Sequence, residues 1–355
     1  MPEYLKTVEN VIRSGWFING PEVKGFESDL AAAIGSDFCV AVSTGLDAIR
    51  LILKGYQELG RLKEGDEVII PANTFIATFL AVTDCGLKAV AADIDENTFC
   101  LDFESLPLTE RTRAVIPVHL YGNPCYDAAK YEELKKRGIL IIEDNAQAIG
   151  AKSCNLFTGN MGDAAAISFY PAKNIGAFGD AGAVLTNDEA LAEKVRQLAN
   201  YGAKIKYHHE LCGYNCRMDE LQAAVLRVKL ADLKNEVSRR NKTATLYDKF
   251  ITNPDVVKPM IFGNDSVQVW HQYVIRHSRR DVLREYLNKK GIGTEIHYPV
   301  PCHKQPCYRS NKNLVIYDAP VKAEKLAREV LSLPIANVTE EQAAYVAAAI
   351  NEYKP

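Results

Sequence analysis

The chain has 355 residues, 47% of them hydrophobic and 25% charged, with 42 Lys+Arg against 45 Asp+Glu and a net charge of −3. That mix excludes a disordered, collagen-like or disulfide-scaffold chain, and without a basic excess a sequence-independent nucleic-acid binder is not expected. At roughly 150 residues per domain, the length predicts about two domains with ample core.

In chain order, the apolar run at 39–42 (CVAV) predicts a buried strand and 46–54 a helix. A strand at 67–70 stops at Pro71, and a helix follows at 75–83. Apolar runs at 89–93 and 114–119 predict strands, 128–137 a helix, and 139–142 another strand. Strand-like runs at 165–170 and 183–186 come next, and Asn187 then caps a helix reaching about Tyr201. Short strands alternating with helices predict an α/β fold, a mostly parallel mixed sheet with helices on both faces.

Residues 218–247 read as one long helical region with no Pro or Gly to stop it. A boundary inside it gives a large domain at 1–235 and a smaller C-terminal α+β domain at 236–355. There, 267–276 predicts a strand and 280–290 a helix that Gly291 breaks. An extended segment at 294–298 precedes Pro299 and Pro301, and 323–331 and 340–354 predict closing helices.

No apolar run approaches the ~20 residues of a membrane span, and the first residues, MPEYLKTVENVIRSGWF, hold no apolar leader core. The nine cysteines are odd in number and show no CxxC zinc spacing. They predict reduced thiols, a cytoplasmic setting and no metal site.

Four segments could carry chemistry. At Ser43-Thr44-Gly45-Leu46-Asp47 a strand turns into a helix, whose free N–H groups suit a phosphate; the same residues suit an ordinary N-cap by Ser43 or Thr44. At Glu143-Asp144-Asn145-Ala146-Gln147 a carboxylate pair ends an apolar strand, where open α/β sheets bind ligands; a helix N-cap by Asp144 or Asn145 is the plainer alternative. Lys173 follows an apolar strand in a loop of small residues, SFYPAKNIGAFGDAG, which favours a desolvated amine over the usual solvated lysine. The loop IHYPVPCHKQ packs rings and prolines together, as a surface loop or one that faces substrate. Neither a Walker A nor a GxGxxG pattern occurs, which removes the main support for an ATP site or a nicotinamide oxidoreductase.

A phosphate cradle, a strand-end carboxylate and a sheltered lysine, in that order, are what pyridoxal 5′-phosphate needs. The ordered segments FINGPEVKGFE, STGLDAI, PANTFIAT, PVHLYGNP, EDNAQAIGA, SFYPAKNIGAFGDAG, NYG, GYNCRMDELQAA and GIGTEIHYPVPCHKQ resemble those of the DegT–StrS sugar-nucleotide aminotransferases, over nearly the whole chain. The resemblance implies the type I pyridoxal-phosphate transferase fold, with a three-layer α/β/α large domain.

Residue by residue, the resemblance implies that Lys173 carries the cofactor and that Asp144 partners the pyridine nitrogen. Gln147 would bond the ring hydroxyl, Phe75 stack on the ring, and Gly45, Leu46 and Ser168 hold the phosphate. Asn215 would reach the phosphate of a neighbouring subunit's cofactor, implying a homodimer with shared active sites. Tyr170, His297 and Tyr298 would line the sugar-nucleotide pocket, and Lys206 would enter from the partner. Relatives often carry His where Ile149 stands, and the stretch before FINGPEV is short here. In the related sugar dehydratases a histidine replaces the lysine, so Lys173 implies transamination.

The implied reaction moves an amino group from L-glutamate to a dTDP-3-keto-6-deoxyhexose. The alternatives are amination at C4 of a 4-keto sugar and, more remotely, a cofactor-binding regulator without turnover, which the absence of a basic DNA-binding appendage disfavours. A product of this class would feed lipopolysaccharide O-antigen, S-layer glycan or antibiotic glycosylation.

Overall fold

The computed structural model describes residues 2–263 and 265–354; Met1, Asn264 and Pro355 lie outside them. Helices α1 (Pro2–Ser14) and α2 (Pro21–Ile34) lead into β1 (Phe38–Val42), α3 (Gly45–Glu58), β2 (Glu67–Pro71), α4 (Ile76–Asp84), β3 (Lys88–Ala92) and β4 (Thr112–Val115). Then come α5 (Ala128–Lys136), β5 (Leu140–Asp144), the short β6 (Lys152–Ser153) and β7 (Leu156–Phe157), β8 (Ala164–Ser168), β9 (Gly182–Thr186) and α6 (Glu189–Ala199). A hairpin of β10 (Ala203–Ile205) and β11 (His208–His209) precedes α7 (Glu220–Ala231) and α8 (Leu233–Phe250). The chain ends with β12 (Ser266–Val267), β13 (Tyr273–Arg276), α9 (Arg280–Lys289), β14 (Leu314–Val315), α10 (Val321–Glu329), β15 (Val330–Leu333) and α11 (Glu340–Glu352).

Eight strands form one sheet in the order β1-β9-β8-β5-β4-β2-β3-β14, and all are mutually parallel except β9. Successive side chains of a strand face opposite ways, and both faces here are apolar. Val40, Val42, Ile70, Ala91, Ile142 and Val184 join α3, α4 and α6 in one core. Their neighbours Cys39, Ala41, Ile167 and Leu185 pack on α2 and α7, and Ile69, Val90, Val115 and Ile141 on α5. This two-sided burial makes the strands legible as continuous apolar runs and confirms the α/β/α layering. On the outer edge of β1, Glu27 accepts the Ala41 amide (2.9 Å) and Arg196 donates to the Cys39 carbonyl (3.2 Å). This pair satisfies strand groups that would otherwise be open to further pairing.

The C-terminal part has its own core, where Tyr247, Trp270, Tyr273, Leu283, Leu331 and Ile350 pack together around the β13–β15 pair. It also feeds the large sheet, since β14 pairs in parallel with β3 and Ala323 and Leu326 of α10 join the main core.

Several expectations need correction. Asp188, not Asn187, caps α6, accepting from Leu191 N, while Asn187 accepts from Asp37 N (2.8 Å). The helical region at 218–247 breaks at Asp232, whose side chain bonds Asn235 and Arg239 and competes with helix continuation. The run at 267–276 is two strands separated by Trp270, with φ 47°. The helix expected at 323–331 stops at Glu329, because Val330–Leu333 is a fully buried strand paired with β13. No helix follows Asp144, so the N-cap alternative falls there. Thr44 does cap α3, accepting from Asp47 N at 2.9 Å.

Candidate active site

The carboxyl ends of parallel strands are where side chains from different strands can converge on a ligand. Here the residues after β1, β2, β4, β5 and β8 surround one cavity of about 690 Å³. It takes in Gly45, Leu46, Phe75, Asp144, Gln147, Ser168, Tyr170, Lys173, His297 and Tyr298, ten of the twelve residues expected from sequence.

The floor is the start of α3. The amides of Gly45 and Leu46 lie in its first turn, before intrahelical acceptors exist, and the helix dipole adds positive potential there. Gly45 allows the helix to approach β8: a Cβ on it would stand 2.6 Å from Ser168 Cβ. The two unpaired amides and the Ser168 hydroxyl thus share one small concavity.

The adjacent acids Glu143 and Asp144 separate, as alternation along β5 requires. Glu143 is fully buried away from the cavity. It bonds His119 Nε2 at 2.8 Å and accepts the amides of Gly159 (2.7 Å), Met161 (2.8 Å) and Gly162 (2.8 Å). Burial alone would raise its pKa, but these donors together hold the carboxyl below its usual range. Its work is structural. Asp144 faces the cavity, accepting from Thr78 Oγ1 at 2.8 Å and from Ala146 N at 3.1 Å.

Lys173 lies in the turn after β8, where its amide donates to Tyr170 O (2.8 Å). The cavity walls desolvate its ammonium and pull the pKa from 10.5 to about 8, with Asp144 pulling the other way. Gln147 is held at both ends: its Oε1 accepts from Tyr121 N (2.7 Å) and its Nε2 donates to Tyr298 OH (3.1 Å). The Phe75 ring is 53% exposed at the cavity rim, 5.6 Å from the Tyr298 ring. His297 bonds Ser332 Oγ through Nδ1 (2.8 Å), and burial lowers its pKa despite Glu295 nearby.

Asn215 and Lys206 are not brought in; both are exposed outside the cavity, Lys206 between β10 and β11. Sequence reasoning missed Thr78, Asp180, His271 and Gln272, which also line it. Thr78 lay one turn past Phe75 in a helix already expected, so its reach to Asp144 was available from periodicity. His271 was hidden inside a run read as one strand.

No groups of three or more His, Cys, Asp or Glu suited to a metal occur among the described residues, and no helix there is long and apolar enough to cross a membrane. The residues do fit pyridoxal phosphate. Unpaired helix amides suit its phosphate, a buried carboxylate would suit its ring nitrogen, an open aromatic face its ring, and a desolvated amine its aldehyde carbon.

A desolvated lysine and a strand-end carboxylate in one carboxyl-edge cavity of a three-layer α/β/α fold suit an enzyme that works through amine chemistry. Residues 2–351 match the DegT/DnrJ/EryC1/StrS aminotransferase family, and the chain belongs to it. It is 42% identical to a dTDP-3-amino-3,4,6-trideoxy-alpha-D-glucose transaminase of Streptomyces venezuelae over 354 residues, 98% of this chain and 90% of that protein. A dTDP-3-amino-3,6-dideoxy-alpha-D-galactopyranose transaminase of Aneurinibacillus thermoaerophilus is 41% identical over 354 residues, 99% of this chain and 95% of that one. The crystal structure of S. venezuelae DesV in complex with a ketimine intermediate superposes with a TM-score of 0.93 at 42% identity, covering 99% of this chain and 94% of that chain.

Proposed function

We propose that this chain is a pyridoxal-phosphate-dependent aminotransferase that moves the amino group of L-glutamate to C3 of a dTDP-linked 3-keto-6-deoxyhexose, giving a 3-amino-3,6-dideoxyhexose. The observation that carries the chemistry is the meeting of Lys173, Asp144 and the α3 amides in one cavity. The sugar assignment is supported by the two dTDP-3-amino-sugar transaminases to which the chain is similar.

When bound, the cofactor supplies an electron sink and a temporary seat for the amino group. Gly45 and Leu46 N–H and the Ser168 hydroxyl would hold its phosphate. Asp144, itself held by Thr78, would keep a proton on the ring nitrogen. Gln147 would offer its remaining amide hydrogen to the ring hydroxyl, and Phe75 would stack on the ring. Lys173 is the base. With burial bringing its pKa to about 8, a large share of the amine is neutral near that pH, and it would take a proton from the α-carbon of glutamate and hold it for return in the same turnover. In the second half-reaction the same amine moves a proton the opposite way to the sugar. Tyr170, His297 and Tyr298 would contact the nucleotide sugar.

We further propose a homodimer in which Asn215 and Lys206 complete the partner's cavity. Their exposure supports this, together with the exposed aromatic and aliphatic side chains Trp16, Phe17, Tyr201, Ile205 and Tyr207. The division into a large cofactor-binding domain, 1–235, and a small C-terminal domain, 236–355, is supported by the separate C-terminal core. A cytoplasmic setting agrees with nine free cysteines.

The test of the chemistry is the first half-reaction alone. Wild type loaded with cofactor should release one equivalent of 2-oxoglutarate from glutamate. Lys173→Ala should slow that release by about 10³-fold or more. Undiminished release by the variant would overturn the assignment of Lys173.

A further inference from the structure

His271 has no part in the account above, yet its surroundings are built with care. It lies between β12 and β13, and its backbone is fixed from three directions. Val269 N donates to Gly122 O (3.1 Å), Gln272 N to Tyr121 O (3.3 Å), and Arg240 Nη1 to the carbonyls of Trp270 (3.1 Å) and His271 (3.3 Å). Gly122, at φ +92°, makes the approach possible, since a Cβ there would lie 2.9 Å from His271 N.

The ring is oriented by the residue next to the lysine. Asn174 Nδ2 donates to Val269 O (3.0 Å), which turns its Oδ1 toward His271 Nδ1 at 3.1 Å. An amide oxygen only accepts, so Nδ1 carries the proton and Nε2 keeps a lone pair. The side chain is 6% exposed and lines the cavity with Lys173. Burial first, then the positive charges of Lys173 and Arg240 and the His297 ring, press the imidazole well below its ordinary range. A neutral acceptor with a fixed tautomer therefore stands in the same cavity as the working amine.

We infer that His271 is a positioning residue for Lys173: its Nε2, which has no hydrogen-bond partner among the described residues, is the acceptor that the lysine amine engages, restricting Nζ while that amine is not bonded to the cofactor. No proton changes owner in this contact, and Lys173 remains the group that moves protons. The inference rests on the reading of Lys173 as the proton carrier, and it adds the group that aims it.

Two variants separate the possibilities. His271→Gln keeps a donor for Asn174 and an acceptor for the cavity, whereas His271→Phe keeps the ring volume and removes both. For the Phe variant, kcat should fall about 10–100-fold with the KM for glutamate within about twofold, and the Gln variant should recover most of the loss. A second readout needs no turnover. In the full-length cofactor-free protein, the pH midpoint of Lys173 labelling by an arylating reagent, with Lys173→Ala as the blank, should drop below that of wild type in His271→Phe. An ammonium that loses an acceptor gives up its proton more easily. It should stay near the wild-type value in His271→Gln. Equal kcat losses in both variants would show that the imidazole itself titrates or only packs, and would overturn the inference, as would an unmoved midpoint in the Phe variant. Turnover retained by Lys173→Ala would instead sink the reading of the lysine, which the labelling midpoint does not depend on.

Discussion

At the scale of single residues, Lys173 owes its reactivity to where its charge sits. Burial brings its pKa to about 8, and the Asp144 carboxylate opposes that fall. In the cofactor-free protein, arylation of Lys173 should therefore be half-maximal near pH 8. Asp144→Asn should move the midpoint lower, because removing the negative neighbour destabilises the ammonium further. A midpoint near 10.5 in wild type, or an upward move in the variant, would contradict this. Thr78→Val deletes the hydroxyl that donates to Asp144 at 2.8 Å. A hydrogen bond to a charged group is worth about 1.5–3 kcal/mol, so kcat should drop by roughly tenfold or more while the fold, followed by circular dichroism, is kept. The sequence showed two acids at 143 and 144 and that they must face opposite ways. Alternation alone leaves open which of the two faces the ligand, because that depends on which sheet face the neighbouring strands leave open; the resemblance of EDNAQAIGA is what singled out Asp144.

At the scale of elements, the approach of α3 to β8 sets the phosphate cradle. Gly45→Ala places a methyl 2.6 Å from Ser168 Cβ, so the helix start must shift. Cofactor affinity should weaken by about tenfold or more, read by equilibrium titration; overpacking of this kind costs roughly 1–3 kcal/mol. An unchanged affinity would show that the cradle lies elsewhere. Seven of the eight strands of the large sheet were legible because burial on both faces leaves them apolar, as in Ile69, Ile141 and Val184; β14 was not, being two half-buried residues at the sheet edge. Helix α2 carries its own sequence signals, Pro21 at its first position and Gly35, with φ 84°, beyond its end. Val330 and Leu331 read as the end of a helix because an apolar run this short fits a helix end as well as a strand. Only pairing with β13, a long-range contact, decides it.

At the scale of the whole molecule, the cavity draws on sequence separated by more than two hundred residues, from Gly45 to Tyr298. Motif order made the cofactor part readable. From 271–298, His297 and Tyr298 were legible only through the resemblance, and His271 and Gln272 not at all, since nothing local says that this stretch reaches the cavity of Lys173. Asn215 and Lys206 remain outside within one chain, so the account requires a second copy. The protein should sediment as a dimer. Lys206→Ala should raise the KM for the nucleotide sugar several-fold and leave the glutamate half-reaction within about twofold, consistent with loss of one charge-assisted contact. A fully active monomer would refute the shared site. The most direct test of the central claim is amino transfer from isotopically labelled L-glutamate to dTDP-3-keto-6-deoxyhexose made in situ by a ketoisomerase, beside the dTDP-4-keto sugar alone, with the product read by mass and NMR. The account predicts labelled nitrogen on C3, only in the ketoisomerase mixture. Nitrogen on C4 from the simple 4-keto sugar would contradict the substrate, and no labelled product from either would contradict the function.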